Sequence, residues 1–286
     1  MTSYQDASAS TVTGSNDVTY VYRRVGTSAG SRPLALLQHF RGNLDNWDPA
    51  LIDALAAGRE VIAFDNVGVG ATTGQVPASV TEMAHGAIAF ISALDLTRVD
   101  LLGYSLGGFV AQEIALIRPD LVERIVLAAT APQGAPGMHG WVSDIIDAVG
   151  SPETTGEQLL HAFFAASESS RAAGGGFLGR IFARTDDRDE PTDWPTRTAH
   201  YDAVVQWGIP NISLLERLTG ISQPVFVANG DNDRMILPRY SHLLGGLLPD
   251  ARVKIYPDAA HGFLFQHHAE FATDVTAFLD SSPETV

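Results

Sequence analysis

The sequence predicts an α/β fold: a mostly parallel central sheet with helices on both faces, interrupted by an inserted, mainly helical segment. Three observations carry this. Short apolar runs of strand length alternate with stretches of helical apolar spacing between residues 34 and 129. That rhythm stops at Ala131 and resumes at Pro224, leaving about 90 residues with helical segments but no convincing strand. Over 286 residues, 45% are hydrophobic and 18% charged, enough to bury one large core.

In chain order, residues 1–17 are rich in Ser, Thr and Ala and read as a flexible tail. They contain no basic start and no apolar run, so a signal peptide is not expected. Val18 to Val25 alternates β-branched and aromatic with polar residues, as a half-exposed strand does. Gly26 to Pro33 is a turn, and Leu34 to Gln38 has the length of a buried parallel strand. Trp47 to Ala57 reads as a helix stopped by Gly58. Glu60 to Phe64 is a strand ending at Asp65 and the Gly68-Val69-Gly70 turn. The helix Val80 to Leu94, the strand Val99 to Leu102, the helix Gly108 to Ile117 and the strand Ile125 to Ala129 follow. Within the insertion, Ser151-Pro152 has the form of a helix start. Ala172 to Gly176 and Asp186 to Pro195 read as mobile loops. Strands return at Pro224 to Asn229 and Arg252 to Tyr256, and the helix Ala269 to Leu279 closes the chain. The α/β core is therefore expected over 18–130 and 221–286, with the helical insertion over 131–220.

Composition narrows the function. With 33 acidic and 18 basic residues the formal charge is -15, which repels phosphate backbones and anionic lipid. Neither nucleic acid nor membrane is expected as a partner, and no apolar run approaches the roughly 20 residues of a membrane helix. The absence of cysteine removes disulfides, thiolate nucleophiles and cysteine-based zinc sites. A cytoplasmic protein acting on a small molecule is the expectation, with no prediction of an oligomer.

The strongest chemical signal is Gly103-Tyr104-Ser105-Leu106-Gly107, a G-x-S-x-G between a strand and a helix. A serine on such a turn is pushed into a strained, exposed position, and the flanking glycines let the backbone pack close. The helix start also offers free N–H groups to a developing oxyanion. A serine needs a base. Of nine histidines, His261 is favoured because it follows the last strand directly; His39 stands apart, and the other seven read as solvated or core residues. The base needs an orienting acid. Gly230-Asp231-Asn232-Asp233 leaves the strand ending at Asn229, where sites gather in parallel sheets; Asp233 is the candidate and Asp231 its rival.

These segments together resemble the α/β-hydrolase-fold serine hydrolases, near their esterase and cofactor-free haloperoxidase-like branch. Leu36 to Gly42 with Trp47 resembles the family's oxyanion loop, and Phe64 to Gly70 its D-x-x-G-x-G turn. Gly103 to Gly108 resembles the nucleophile turn, Gly230 to Asp233 with Pro238 the acid loop, and Ala260-His261-Gly262 with Phe263 the histidine loop. The resemblance implies Ser105 as nucleophile, His261 as general acid and base, and Asp233 as its partner. It implies an oxyanion hole from the Phe40 and Leu106 N–H groups and a cap formed by 131–220. Many relatives read His-Gly before the oxyanion residue, where this chain has Gln38-His39. Arg41 beside them is either a pocket residue for a carboxylate or carbonyl, or, more commonly, a solvated arginine. The implied reaction is cleavage of a carboxylic ester or lactone through an acyl-enzyme, without metal or organic cofactor. C–C bond hydrolysis, perhydrolysis and non-catalytic ligand binding are the alternatives the fold carries.

Other patterns are weaker. Gly68-Val69-Gly70 lacks the third glycine of a dinucleotide fingerprint, position 73 being Thr73. Asp231-Asn232-Asp233 lacks the glycine and glutamate of a calcium loop, and His267-His268 is not a zinc spacing. Phe163, Phe164, Trp194 and Trp207 are either pocket lining or, for any one of them, ordinary core.

Overall fold

The computed structural model describes residues 2–27, 30–138, 140–152 and 154–281. Of the residues singled out above, His139 and part of the Gly26 to Pro33 turn lie outside the described set. Eight strands form one sheet: β1 (Ser10–Thr13), β2 (Thr19–Val25), β3 (Leu34–Leu37), β4 (Val61–Phe64), β5 (Val99–Tyr104), β6 (Val122–Ala128), β7 (Val225–Gly230) and β8 (Ala251–Tyr256). Their order is β1-β2-β4-β3-β5-β6-β7-β8. β1 and β2 are antiparallel to their neighbours, and every other pairing is parallel. β3, β4, β5 and β7 are buried at every position, the pattern of strands covered on both faces. β1 and β8 are the partly exposed edges.

Helices α1 (Pro49–Leu55), α2 (Val80–Ala93) and α3 (Leu106–Ile117) follow β3, β4 and β5. Asp48 caps α1 ahead of Pro49, and Ser79 caps α2 through the Glu82 N–H. The chain after β6 contains α4 (Ser143–Gly150), α5 (Gly156–Phe163), α6 (Glu168–Ile181), α7 (Trp194–Trp207) and α8 (Ile212–Glu216), with no strand among the described residues of this stretch. α9 (Pro238–Leu247) lies between β7 and β8, and α10 (Phe263–Gln266) and α11 (His268–Leu279) end the fold. α1 packs on α11 and α2 on α3. No helix of the described residues is long and apolar enough to cross a membrane.

Three expectations need correction. Residues 1–17 do not form a flexible tail throughout. Tyr4 is buried, its hydroxyl donating to Leu44 O at 2.8 Å and its N–H to Asp53 Oδ1 at 2.7 Å, and Ser10–Thr13 pairs with β2. One aromatic anchor and a β-prone Thr-Val-Thr run outweigh the polar composition. Ser151-Pro152 does not start a helix: Ser151 ends α4, and α5 starts at Gly156 behind a Thr155–Gln158 capping box. Ala172 to Gly176 is helical, inside α6. Ser167 caps that helix, and Gly174 lies so close to Leu160 and Phe164 that a side chain would collide with them. Gly174 thus serves helix packing, which local propensity does not reveal.

Candidate active site

The sheet order places the site. The chain runs from β3 outward to β4 and then returns to β5 on the other side of β3, so strand order reverses between β3 and β5. Leu37 at the end of β3 is in register with Gly103 of β5. The loop after β3 and the turn after β5 therefore leave the sheet side by side at its carboxyl edge, where α/β folds open a crevice. Ser105 sits on that turn with φ 56° and ψ −117°, a conformation that L-residues rarely adopt. Its neighbours hold it there. The Ser105 N–H donates to Ala128 O at 2.9 Å, while its carbonyl accepts from Thr130 Oγ1 at 2.8 Å and Gly108 N at 2.9 Å. A side chain at Gly107 would strike the Leu37 carbonyl, and one at Gly103 the Gly107 carbonyl, so both glycines are demanded by close backbone approach.

The loops after β7 and β8 bring two more residues to the serine. His261 Nε2 lies 2.9 Å from Ser105 Oγ, and His261 Nδ1 lies 2.8 Å from Asp233 Oδ2. A carboxylate only accepts, so Nδ1 carries the proton and Nε2 is left to accept the Ser105 O–H. The other Asp233 oxygen accepts the Met235 and Ile236 N–H groups at 2.8 and 3.0 Å, which fixes the carboxylate plane. Asp231 goes elsewhere. It is exposed, and its Oδ1 accepts the Ala259 N–H at 3.1 Å and the Asn232 amide at 2.7 Å, bracing the histidine loop without reaching the ring. Of the two acids proposed from sequence, the structure brings Asp233 alone to His261. Tyr104 donates to His261 O at 3.1 Å, and Gly262 N donates to Phe163 O at 2.7 Å, joining the histidine loop to the end of α5.

A cavity of about 170 Å³ opens on Ser105 and His261. Its wall combines Phe40 and His39 of the β3 loop with Leu159 and Phe163 of α5 and Met235 of the acid loop. Phe40 N and Leu106 N, the two candidate oxyanion donors, have no hydrogen-bond acceptor among the described residues. Among those residues no cluster of three or more His, Asp or Glu is placed to hold a metal ion.

Arg41 is among the residues that line the cavity and is only partly exposed, so it is not the freely solvated arginine that was the commoner expectation. It adopts φ 61° and is one tie between the β3 loop and the helical segment. Its guanidinium donates to Ser151 O at 2.7 Å, Pro152 O at 2.8 Å and Thr192 O at 3.1 Å, which fixes the side chain at the cavity wall. Its N–H donates to His200 Nδ1 at 3.1 Å, and its carbonyl accepts from Thr192 Oγ1 at 3.0 Å. His200 is fully buried, and burial, with the nearby Arg41 charge, pushes its pKa down to about 4, so the ring is neutral and able to accept. The 186–193 loop is anchored as well: Asp189 N donates to Asp45 Oδ2 at 2.7 Å, and Asn43 donates to Glu190 O at 3.1 Å.

Of the four aromatics weighed from sequence, only Phe163 lines this cavity. Trp207 stacks on Phe109 at 5.0 Å and donates to Ala131 O, a core role. Phe164 packs on Phe177, and Trp194 is half exposed beneath Arg197. His200, Thr192 and Leu159 were not singled out by sequence reading, because nothing in local spacing says which face of an inserted helix meets the sheet.

With this geometry in view, the chain can be set beside known proteins. Residues 33–268 match the family model described as alpha/beta hydrolase fold. A solved alpha/beta hydrolase fold protein from Chitinophaga pinensis is 39% identical, superposes with a TM-score of 0.91, and is covered over 100% of its chain by 98% of this one. A pimeloyl-[acyl-carrier protein] methyl ester esterase from Aliivibrio salmonicida is 26% identical over 261 residues, 90% of this chain and 96% of its own. A Mycobacterium tuberculosis protein provisionally named non-heme bromoperoxidase is 26% identical over 242 residues, 82% of this chain and 88% of its own. The eight-stranded sheet, its switch point and the match over most of the length together make this chain a member of the alpha/beta hydrolase fold family.

Proposed function

We propose that the chain is a serine hydrolase that cleaves a carboxylic ester or lactone of a small molecule through an acyl-enzyme intermediate. The observation that carries this reading is the Ser105–His261–Asp233 relay, with contacts of 2.9 and 2.8 Å, built on a strained strand-to-helix turn. A binding protein has no need of a base held against a serine. The relationship to an esterase supports ester chemistry in particular.

In the reaction, His261 Nε2 takes the Ser105 proton as Oγ attacks the carbonyl carbon. Asp233 holds the ring tautomer and stabilises the imidazolium that forms. The tetrahedral oxyanion is met by the Phe40 and Leu106 N–H groups, each worth about 3 kcal/mol where alignment is good. His261 then gives its proton to the leaving alkoxide, and the acyl group stays on Ser105. Water, deprotonated by the same ring, attacks the acyl carbon; the bond to Oγ breaks, His261 returns the proton to Ser105, and the acid leaves. Residues 131–220 act as the cap, with Leu159 and Phe163 in the acyl and alcohol pocket.

The test is a panel of p-nitrophenyl esters, aryl esters and lactones assayed with the wild type and Ser105→Ala. Turnover is expected for wild type, with a loss in kcat of the order of 10⁶ in the variant. Equal turnover by both proteins, or none by wild type across the panel, would overturn the proposal.

A further inference from the structure

We propose that His39 is a substrate-recognition residue whose Nε2 accepts a hydrogen bond from a hydroxyl or amide N–H carried by the substrate beside its scissile carbonyl. This rests on the serine-hydrolase reading and extends it from a reaction to a substrate class.

His39 Nδ1 lies 2.8 Å from Phe40 O. A carbonyl oxygen only accepts, so Nδ1 bears the hydrogen, and in the neutral ring Nε2 is a bare lone pair. Burial pushes the pKa down to about 3, with His261 and His200 opposing a further charge nearby. The ring therefore stays neutral in ordinary buffers and is far too weak a base to compete with His261 for the serine proton. What remains to it is accepting a hydrogen bond.

The placement of the ring gives that property a use. His39 directly precedes Phe40, and it lines the same cavity as Ser105 and His261. It is held edge-on by Tyr104 at 5.1 Å and Phe163 at 5.3 Å, the two rings that also flank His261 at 5.3 and 5.6 Å. Its orientation is thus fixed on both sides. Among the described residues, Nε2 has no hydrogen-bond partner. Beside the candidate oxyanion hole, whose groups are donors, His39 Nε2 adds a rigid acceptor to the wall. A ligand with a donor next to its carbonyl satisfies both; a purely aliphatic ester leaves the acceptor to water or unpaired.

Two matched pairs of esters test this. Methyl 3-hydroxybutyrate against methyl butyrate places the donor on the acyl side. 2-Hydroxyethyl butyrate against ethyl butyrate places it on the alcohol side. The kcat/KM ratios are measured for wild type, His39→Phe and His39→Gln. Wild type should favour the hydroxylated member of at least one pair by about tenfold, the worth of one neutral hydrogen bond. His39→Phe should bring that ratio close to one, the hydroxylated ester losing more than the plain one. His39→Gln, whose amide oxygen reaches near the Nε2 position, should recover part of it. A wild type with no preference in either pair, a preference that survives in His39→Phe, or equal loss on both members of a pair would overturn the proposal, the last outcome marking a structural role. If no ester turns over and a fluorophosphonate leaves Ser105 unmodified, the serine-hydrolase reading falls and this one with it. Turnover without preference removes this inference alone.

Discussion

Asp231 and Asp233 are two residues apart on one loop, and only the backbone path separates their roles. The sequence favoured Asp233 as the acid and kept Asp231 as its rival, because each follows the same strand and either could be an ordinary turn aspartate. The structure directs Asp233 inward, fully buried against His261, and leaves Asp231 outside on the Ala259 N–H. Asp233→Asn should therefore keep the fold and favour the wrong histidine tautomer, with a loss of up to about 10⁴ in kcat. Asp231→Asn should stay within about tenfold, since it loosens only the histidine loop. Steady-state kinetics of both variants on one ester decides it; a large loss in Asp231→Asn with a near-normal Asp233→Asn would reverse the roles. Ser105 and His261 were legible at once, because strand-to-helix glycines and a histidine after the last strand are local patterns. The Arg41 contacts were not legible, since every partner lies more than 100 residues away in sequence.

At the scale of elements, the inserted helices separate into those that meet the cavity and those that fill the core. The sequence predicts helical segments in the insertion but not which way each one faces, so Trp207 of α7 and Phe163 of α5 looked alike. Trp207→Ala should cost about 3–5 kcal/mol of stability through the void left on Phe109. Its preference between short and long esters should hardly change. Phe163→Ala should do the reverse in selectivity, shifting the kcat/KM ratio for butyrate and octanoate esters. A Trp207 variant with altered selectivity and unaltered urea midpoint would contradict this division. One tie between the helical segment and the β3 loop is Arg41, which follows a candidate oxyanion donor and bonds to both the α4 end and the 192 region. Arg41→Ala frees the β3 loop from both, and kcat should fall by about ten- to a hundredfold with a smaller change in KM. Arg41→Lys should recover little, because one ammonium does not span the same carbonyls. A rise in KM with unchanged kcat would assign Arg41 to binding instead.

For the molecule as a whole, the sheet was the most legible part, because buried parallel strands are short apolar runs that announce themselves. The edge strand β1 was missed because its side chains are polar, and its place depends on Tyr4 finding a slot beside Leu44. Distant from the site, buried ionisable groups set the pH response. Burial raises the pKa of Asp100 to about 6 against the opposing charges of Arg59, Arg32 and Arg124, and one of its oxygens is buried without a partner. A raised carboxyl pKa means stability that is present below the unfolded value near 4 and lost as pH rises through 6, of the order of 3 kcal/mol for two pKa units. His39 and His200, depressed to about 3 and 4, contribute stability above pH 6.5 that is lost as pH falls through those values. Asp100→Asn should thus match wild type near pH 4 and exceed it in urea midpoint at pH 8; a difference that does not change with pH would contradict this. Loops from β3, β5, β7 and β8 converge on Ser105, and the proposed function requires that this one serine be nucleophilic. The direct measurement is peptide mapping of the protein after reaction with a fluorophosphonate. A single adduct on Ser105 is expected, absent after denaturation and strongly slowed in His261→Ala. An unmodified Ser105, or labelling that proceeds equally well without His261, would contradict it.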